Sequence, residues 1–432
     1  MKKLLIITYY WPPSGGPGVQ RWLKFLKYFP ANNCEPVVLT VDPERASYPL
    51  LDDSLLTDVA PGMKVHKTKT SEPYSWYKRI TGKGEIPYSG FANKGRPGQK
   101  ERMARFMRGN LFIPDPRRGW NRYALKKALE IISSENINGI ITTSPPHSTQ
   151  LIGLKLKKKT GLPWIADLRD PWTDIYYYRE LRRTAAAAAK DAAYERAVLE
   201  QADRVVVVSA QIKRTLLHKS DNVRPEKIAL IPNGYDESDF VIDTTAEDER
   251  FVITYTGTLS EEYNIATFLD SVTETMKHMD VDYVLKFVGR TADAVQEKIR
   301  RALPAAHLEF IPHVEHAEAV RYMMSSTALL LVIPDVERNK GILTGKLFEY
   351  LAAGKPIIGI GPDDGDAAEI IERCKAGKLL PYHRKKEMGE YLAGLIAQWK
   401  NHSMPAAEAN CRKAFSRECL AADYVRIINS VC

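Results

Sequence analysis

Short apolar runs alternate with amphipathic stretches along nearly the whole chain. The first run, LLIITYY at 4–10, meets the glycine-rich SGGPGVQR and then an amphipathic stretch from Val19 to Phe29. That order predicts strand, tight loop and helix. Further strands are predicted at Val37–Val41, Gly139–Ser144, Trp164–Trp172, Arg204–Ser209 and from Ile228. A second series follows at 251–257, 283–289, 308–312, 328–334 and 356–361. Helical periods lie between them, and a high-propensity helix is predicted over YYYRELRRTAAAAAKDAAYERAVLEQAD, its basic opening suited to a lid. Residues 43–77 carry no clear period and predict short irregular helices; a last helix is predicted over about 406–430. Strands alternating with helices mean parallel sheets, so the fold class is α/β. At 432 residues the chain supports two such domains, with the boundary near Asn233.

Composition changes this picture little, with 44% hydrophobic and 27% charged residues. No apolar run approaches the ~20 residues of a membrane span. The opening MKKLLIITYYWPP mimics a secretion signal, but its apolar part is short and runs into prolines, so it reads as a strand. Five scattered cysteines without CxxC spacing argue against a disulfide framework or a structural zinc site and suit a cytoplasmic setting. Charge is more telling. Residues 78–127 hold 14 Lys and Arg against 3 Asp and Glu, more than accounting for the net +9. Within this block, Met103, Phe106 and Met107 share a helical face beside Arg102, Arg105 and Arg108. The insert at about 78–118 reads either as a peripheral contact with an anionic membrane or as a helix packed on its own domain with a solvated basic face. No nucleic-acid motif is present.

Four places carry candidate chemistry. KGILTGKLFEYLAAGKPIIGIG, 340–361, reads as loop, helix, glycine stop and buried strand. Backbone N–H groups at Lys340, Gly341, Ile342, Leu343, Thr344 and Gly345, with the helix dipole and Lys346, suit a phosphate; Glu349 can accept from a ribose diol. The other reading is an ordinary connection with a surface Lys and Glu. Gly15, Gly16 and Gly18 allow close ligand approach or simply make the turn; their spacing is not GxGxxG, which excludes the nicotinamide dehydrogenase fingerprint. His147 follows a strand end, where open α/β sheets bind ligands. It reads as a hydrogen-bonding group for a sugar or as an exposed helix-start residue. In WIADLRDPW, Asp167 and Arg169 share one face of an extended chain and Asp170 takes the other, as site groups or as a structural ion pair.

The segment from Lys346 through Gly354 and Pro356 resembles the donor-binding segment of the GT-B retaining glycosyltransferases of family four, and the resemblance covers nearly the whole chain. It implies two Rossmann-like doubly wound domains facing a central cleft: an acceptor-side domain at 1–233, a nucleotide-sugar domain at 234–405, and a helix at 406–432 crossing back. It implies a nucleotide-sugar donor, a glycan or lipid-linked acceptor, retention by front-face attack, and neither cofactor nor metal. It assigns catalytic roles to His147, Asp170 and Lys346, and acceptor-side roles to Asp167, Arg169 and Asp170. The donor set is Gly15, Gly16, Gly18, Thr258, Arg290, Val314, Lys340 to Lys346, and Glu349. The implied location is the cytoplasm, at the inner membrane face. Two departures stand out. Thr258 occupies the place of a phosphate-clamping Arg, leaving Arg290, Lys340 and Lys346 as substitutes. Gly341 occupies the place of the first of two paired glutamates. A nucleotide-sugar 2-epimerase and a non-catalytic glycan- or membrane-binding protein are the alternatives.

Overall fold

The computed structural model describes residues 1–72, 99–241 and 249–432. The part of the basic insert before Gln99 lies outside them. The chain forms two compact units, Met1–Pro232 with Arg417–Cys432, and Asn233–Ser416.

The first unit is built on a seven-stranded sheet of order β3-β2-β1-β4-β5-β6-β7, every pairing parallel. The strands are β1 Lys2–Ile7, β2 Cys34–Val41, β3 Lys64–Thr68, β4 Gly139–Ser144, β5 Trp164–Leu168, β6 Arg204–Val207 and β7 Ile228–Leu230. β4 and β5 are buried at every residue, as parallel strands covered on both faces must be. Alternate residues feed separate cores. Leu5, Ile7, Val37, Leu39, Ile140 and Trp164 pack on one side, and Leu4, Ile6, Val38, Ile141 and Ile165 on the other. The second core is closed by Trp22 and Phe25 of the helix Pro17–Tyr28, by Phe29 just after it, and by Tyr424 and Ile428 of the C-terminal helix Arg417–Asn429. The predicted irregular stretch 43–77 conceals β3, whose KVHKT pattern lacks an apolar face because it is an edge strand. The predicted long helix from Tyr176 begins only at Ala185, where the Thr184 side chain accepts from Ala187 N; Tyr176–Leu181 is a 3₁₀ segment.

The second unit carries a six-stranded parallel sheet, β10-β9-β8-β11-β12-β13. Its strands are β8 Phe251–Thr256, β9 Tyr283–Val288, β10 Leu308–Ile311, β11 Ala328–Val332, β12 Ile357–Ile360 and β13 Gly377–Leu380. β13 was not predicted; it is a short edge strand. The helix expected over 406–430 is two helices, Ala409–Lys413 and Arg417–Asn429. Phe415 between them is buried in the second unit's core, and Ser416 bridges to Tyr235. Residues 406–416 therefore stay with the second unit.

The cysteine reading needs correction. Cys374 and Cys411 form a disulfide, their Cα atoms 5.2 Å apart, while Cys34, Cys419 and Cys432 are free. Glu408 N donates to Cys374 O at 2.8 Å, laying the helix Ala409–Lys413 across the end of the helix Asp366–Arg373. That proximity is tertiary, so no short motif announces it.

Candidate active site

In the second unit the expected donor residues gather at the carboxyl edge of the sheet, where a parallel sheet opens its strand-to-helix loops. Gly257 and Thr258 follow β8, Gly289 and Arg290 follow β9, and Val314 comes after β10. Lys340 to Lys346 lead from β11 into the helix Gly345–Ala353. No side chain caps that helix: Thr344 is its N-cap residue, and its buried hydroxyl has no hydrogen-bond partner. Leu347 N donates back to Thr344 O at 3.2 Å, and the amides of Gly345 and Lys346 keep their capacity for an anion. Gly354 stops the helix at φ 69°, a left-handed conformation as its sequence context predicts.

Lys346 is drawn back over this edge. Its Nζ donates to Tyr255 Oη at 2.7 Å and to Thr258 O at 3.5 Å, and lies 4.5 Å from the Tyr255 ring centroid and 5.5 Å from that of Tyr263. Desolvation beside these rings lowers its value to about 8, against the opposing pull of Glu349. Gly257 makes the approach possible: it sits at φ 92°, and a Cβ there would lie 2.7 Å from Lys346 Cε.

Arg290 lies beside Thr258. β8 and β9 run in register to Thr256 and Val288, and Leu259 N donates to Arg290 O at 2.9 Å. The Arg replaced by Thr258 therefore has a neighbour of the same chemistry one strand over. Arg290 is exposed, and its guanidinium has no partner among the described residues. Lys340 offers no such cation: it is exposed and paired with Asp364. Gly341 is buried in the 3₁₀ turn Asn339–Gly341. Glu349 is engaged, its Oε1 accepting from His316 Nε2 at 3.0 Å.

In the first unit β1 and β4 are neighbours whose chain connections leave in opposite directions, the switch point at which doubly wound sheets bind ligands. The glycine loop follows β1, His147 follows β4, and Arg169 and Asp170 follow β5. Gly15 packs against Leu50 and Asp52, and Gly16 sits at φ 99°. Gly18 seats Arg169, because a Cβ there would come 2.3 Å from Arg169 Nη1. Arg169 Nη2 also reaches Asp170 Oδ2 at 3.4 Å. Gly18, Arg169 and Asp170 are thus brought together.

His147 is buried, not an exposed helix-start residue. Its ring stacks on Trp172, centroids 5.0 Å apart, and neither ring nitrogen has a hydrogen-bond partner. Burial first, then the Arg183 and Arg169 charges, lower its value to about 3, so the imidazole is neutral. A neutral ring with both nitrogens unspent can hydrogen-bond a hydroxyl.

Asp167 behaves otherwise than expected. Its side chain is 0% exposed. It accepts from Trp22 Nε1 at 2.7 Å, from Thr143 Oγ1 at 3.2 Å and from Arg21 at 3.3 and 3.4 Å. Arg21 in turn donates to Pro232 O and Ile231 O. Asp167 therefore ties the helix after the glycine loop to β5 and has no surface to offer an acceptor.

Several site neighbours escaped the sequence reading. Tyr255 stood two residues before a strand-end glycine and Trp172 closed the WIADLRDPW motif, which were the available signals; Tyr263 and His316 had none. Among the described residues no group of three or more His, Cys, Asp or Glu is placed to hold a metal ion.

Comparison with known families and structures gives the family and the fold. Residues 90–239 match the model described as Glycosyltransferase Family 4, and residues 250–398 match Glycosyl transferases group 1, together more than half of the chain. No curated protein matches the sequence. Among solved structures, Anabaena HepE in complex with UDP and glucose aligns with TM-score 0.61 at 12% identity, covering 100% of both chains. Sucrose-phosphate synthase from Thermosynechococcus elongatus aligns with TM-score 0.61 at 13% identity, covering 100% of this chain and 99% of that one. The lipopolysaccharide outer core galactosyltransferase WaaB aligns with TM-score 0.57 at 13% identity, over 100% and 99%. At such identities the structures speak for the fold, and the family models for the class of enzyme. The chain belongs to the family 4 glycosyltransferases of GT-B fold.

Proposed function

We propose that the second unit binds a nucleotide-diphosphate sugar and that the enzyme transfers the sugar to a glycan or lipid-linked acceptor, with retention and without a metal. The observation that carries this reading is the uncapped start of the helix Gly345–Ala353, with Lys346 reaching Thr258 O and Arg290 following the neighbouring strand. First-turn amides and two cations would neutralise a pyrophosphate as it leaves, each fixed before the reaction. Glu349 would take the ribose. His147 and Asp170 remain the candidates for contact with the reacting sugars, with Arg169 as the group that orients Asp170. UDP and a sugar bound to a protein of the same fold make UDP-sugars the first donors to try.

Thermal-shift screening with UDP-, GDP- and ADP-linked sugars tests the reading, followed by donor hydrolysis and transfer assays on the hits. A raised Tm with one donor and slow release of its free sugar are expected. No shift with any of them would overturn it, and a mass-neutral change of the donor would identify an epimerase.

The setting we propose is cytoplasmic, at an anionic membrane. No helix among the described residues is long and apolar enough to cross a membrane. The helix Gln99–Leu111 exposes Met103, Phe106 and Leu111, with Arg102 exposed beside them. It packs against the 3₁₀ segment Tyr176–Leu181 through an Arg105–Glu180 pair, and Asn110 Nδ2 donates to Arg182 O, which brings the exposed Arg179 and Arg182 to the same surface. Apolar side chains amid arginines suit the headgroup region of anionic lipid. Flotation with phosphatidylglycerol vesicles, lost in Met103→Glu/Phe106→Glu and absent with phosphatidylcholine, is the expected result.

A further inference from the structure

Lys346 and Glu349 are three residues apart on one helix. At that spacing opposite charges pair readily across a helix turn. Such a pair would spend the cation meant for a diphosphate and the carboxylate meant for a ribose on one another. Here no ion pair joins them, and each is drawn aside by a different partner. Lys346 points to Tyr255 and Thr258. Glu349 points to His316, whose Nε2 lies 3.0 Å from Oε1.

His316 is the first residue of the helix His316–Met324, and its other ring nitrogen faces a second carboxylate, Asp239 Oδ2, at 4.0 Å. An ionised carboxylate only accepts hydrogen bonds, so Nε2 must carry a proton to hold Glu349. The ring is held between two carboxylates, Glu349 on the Nε2 side and Asp239 on the Nδ1 side. Three separate elements thus meet at one imidazole: the turn Glu237–Phe240, the helix of His316 and the helix of Lys346 and Glu349. Oε1 of Glu349 is taken, while Oε2 has no hydrogen-bond partner among the described residues.

We infer that His316 is a positioning residue of the donor site: it keeps Glu349 from pairing with Lys346 and presents the second carboxylate oxygen to the ribose diol. The inference rests on the donor reading above. It adds a residue that touches neither phosphate nor sugar and acts through Glu349 alone.

The test is calorimetric titration of the full chain with UDP, GDP and ADP and with their 2′,3′-dideoxy forms, across pH 6.5 to 9.5. Wild type is expected to bind one of the three and to prefer it about tenfold over its dideoxy form, with Glu349→Gln reducing that preference. His316→Ala is expected to lose the preference as Glu349→Gln does. It is also expected to shift the alkaline loss of binding to higher pH, because a Glu349 freed to pair with Lys346 raises the lysine's value. His316→Gln, which can still donate to Glu349, is expected to restore both. A merely structural His316 would move stability and leave the alkaline limb where it was. Should wild type discriminate through Glu349 while His316→Ala keeps both the preference and the pH profile, the inference fails and the donor reading stands. Should wild type bind none of the three diphosphates, the donor reading fails and takes the inference with it.

Discussion

Lys346 offers the sharpest test of the proposed donor site, because its charge and its burial pull in opposite directions. Its ammonium is walled by Tyr255 and Tyr263, and desolvation brings its value down to about 8 from the usual 10.5. At pH 7 about nine-tenths of the molecules carry the charge, and at pH 9 about one-tenth. The charged form is the one that attracts a diphosphate. Nucleotide affinity should therefore hold below pH 8 and decline as pH rises through it, with a proton taken up on binding above that point. A hydrogen bond from a charged donor is worth about 1.5–3 kcal/mol. Lys346→Ala should therefore weaken binding about ten- to a hundredfold at pH 7. Lys346→Arg, which stays charged, should retain binding and lose the decline between pH 7 and 9. Stability should move the other way. A group held charged below its unfolded value in a desolvated place opposes folding, so Lys346→Met should leave Tm unchanged or raise it at pH 7. Calorimetric titration from pH 6.5 to 9.5 and thermal melts of the same preparations decide the matter. Wild-type affinity that stays flat across that range, or an alanine variant that binds as well, would refute the reasoning; a large fall in Tm for Lys346→Met would show the side chain to be structural.

Other outcomes follow from the same geometry. Asp167→Ala should cost about 3–5 kcal/mol in urea denaturation by leaving Arg21 buried without its carboxylate, with nucleotide binding per folded molecule unchanged. Arg290→Ala should weaken nucleotide binding about three- to tenfold, less than the lysine variant and chiefly at low salt, since Arg290 is exposed. Reduction, or Cys374→Ser, should lower stability by about 2–4 kcal/mol, since the bond closes a separation of 37 residues; equal melts with and without reductant would count against the disulfide. His147 stays neutral in the folded chain down to about pH 3, while the unfolded chain binds a proton there below about 6.5. Stability should therefore decline as pH falls through that window, and His147→Gln should flatten the decline in acid melts.

The amino-acid sequence by itself determined the α/β rhythm, because buried parallel strands must be nearly continuous apolar runs and the helices between them must be amphipathic. It also picked out the candidate site residues, since glycines, a His and charges cluster just beyond strand ends. The helix stop at Gly354 and the uncapped start before Lys346 are local chemistry, and both were legible. Edge strands were not: β3 and β13 bury little, so KVHKT and GKLL carry no periodic mark. Only the tertiary structure decided what each charge does. Asp167 and Asp170 stand three residues apart in one motif, yet one is sealed around Arg21 and Trp22 and the other meets Arg169 over Gly18. Lys340 and Arg290 were equal as substitute cations until Asp364 took the first and β-sheet register set the second beside Thr258. Partners such as Tyr255 for Lys346, His316 for Glu349 and Cys411 for Cys374 lie 91, 33 and 37 residues away in the chain. Such pairings depend on how strands and helices stack, and no local pattern encodes them.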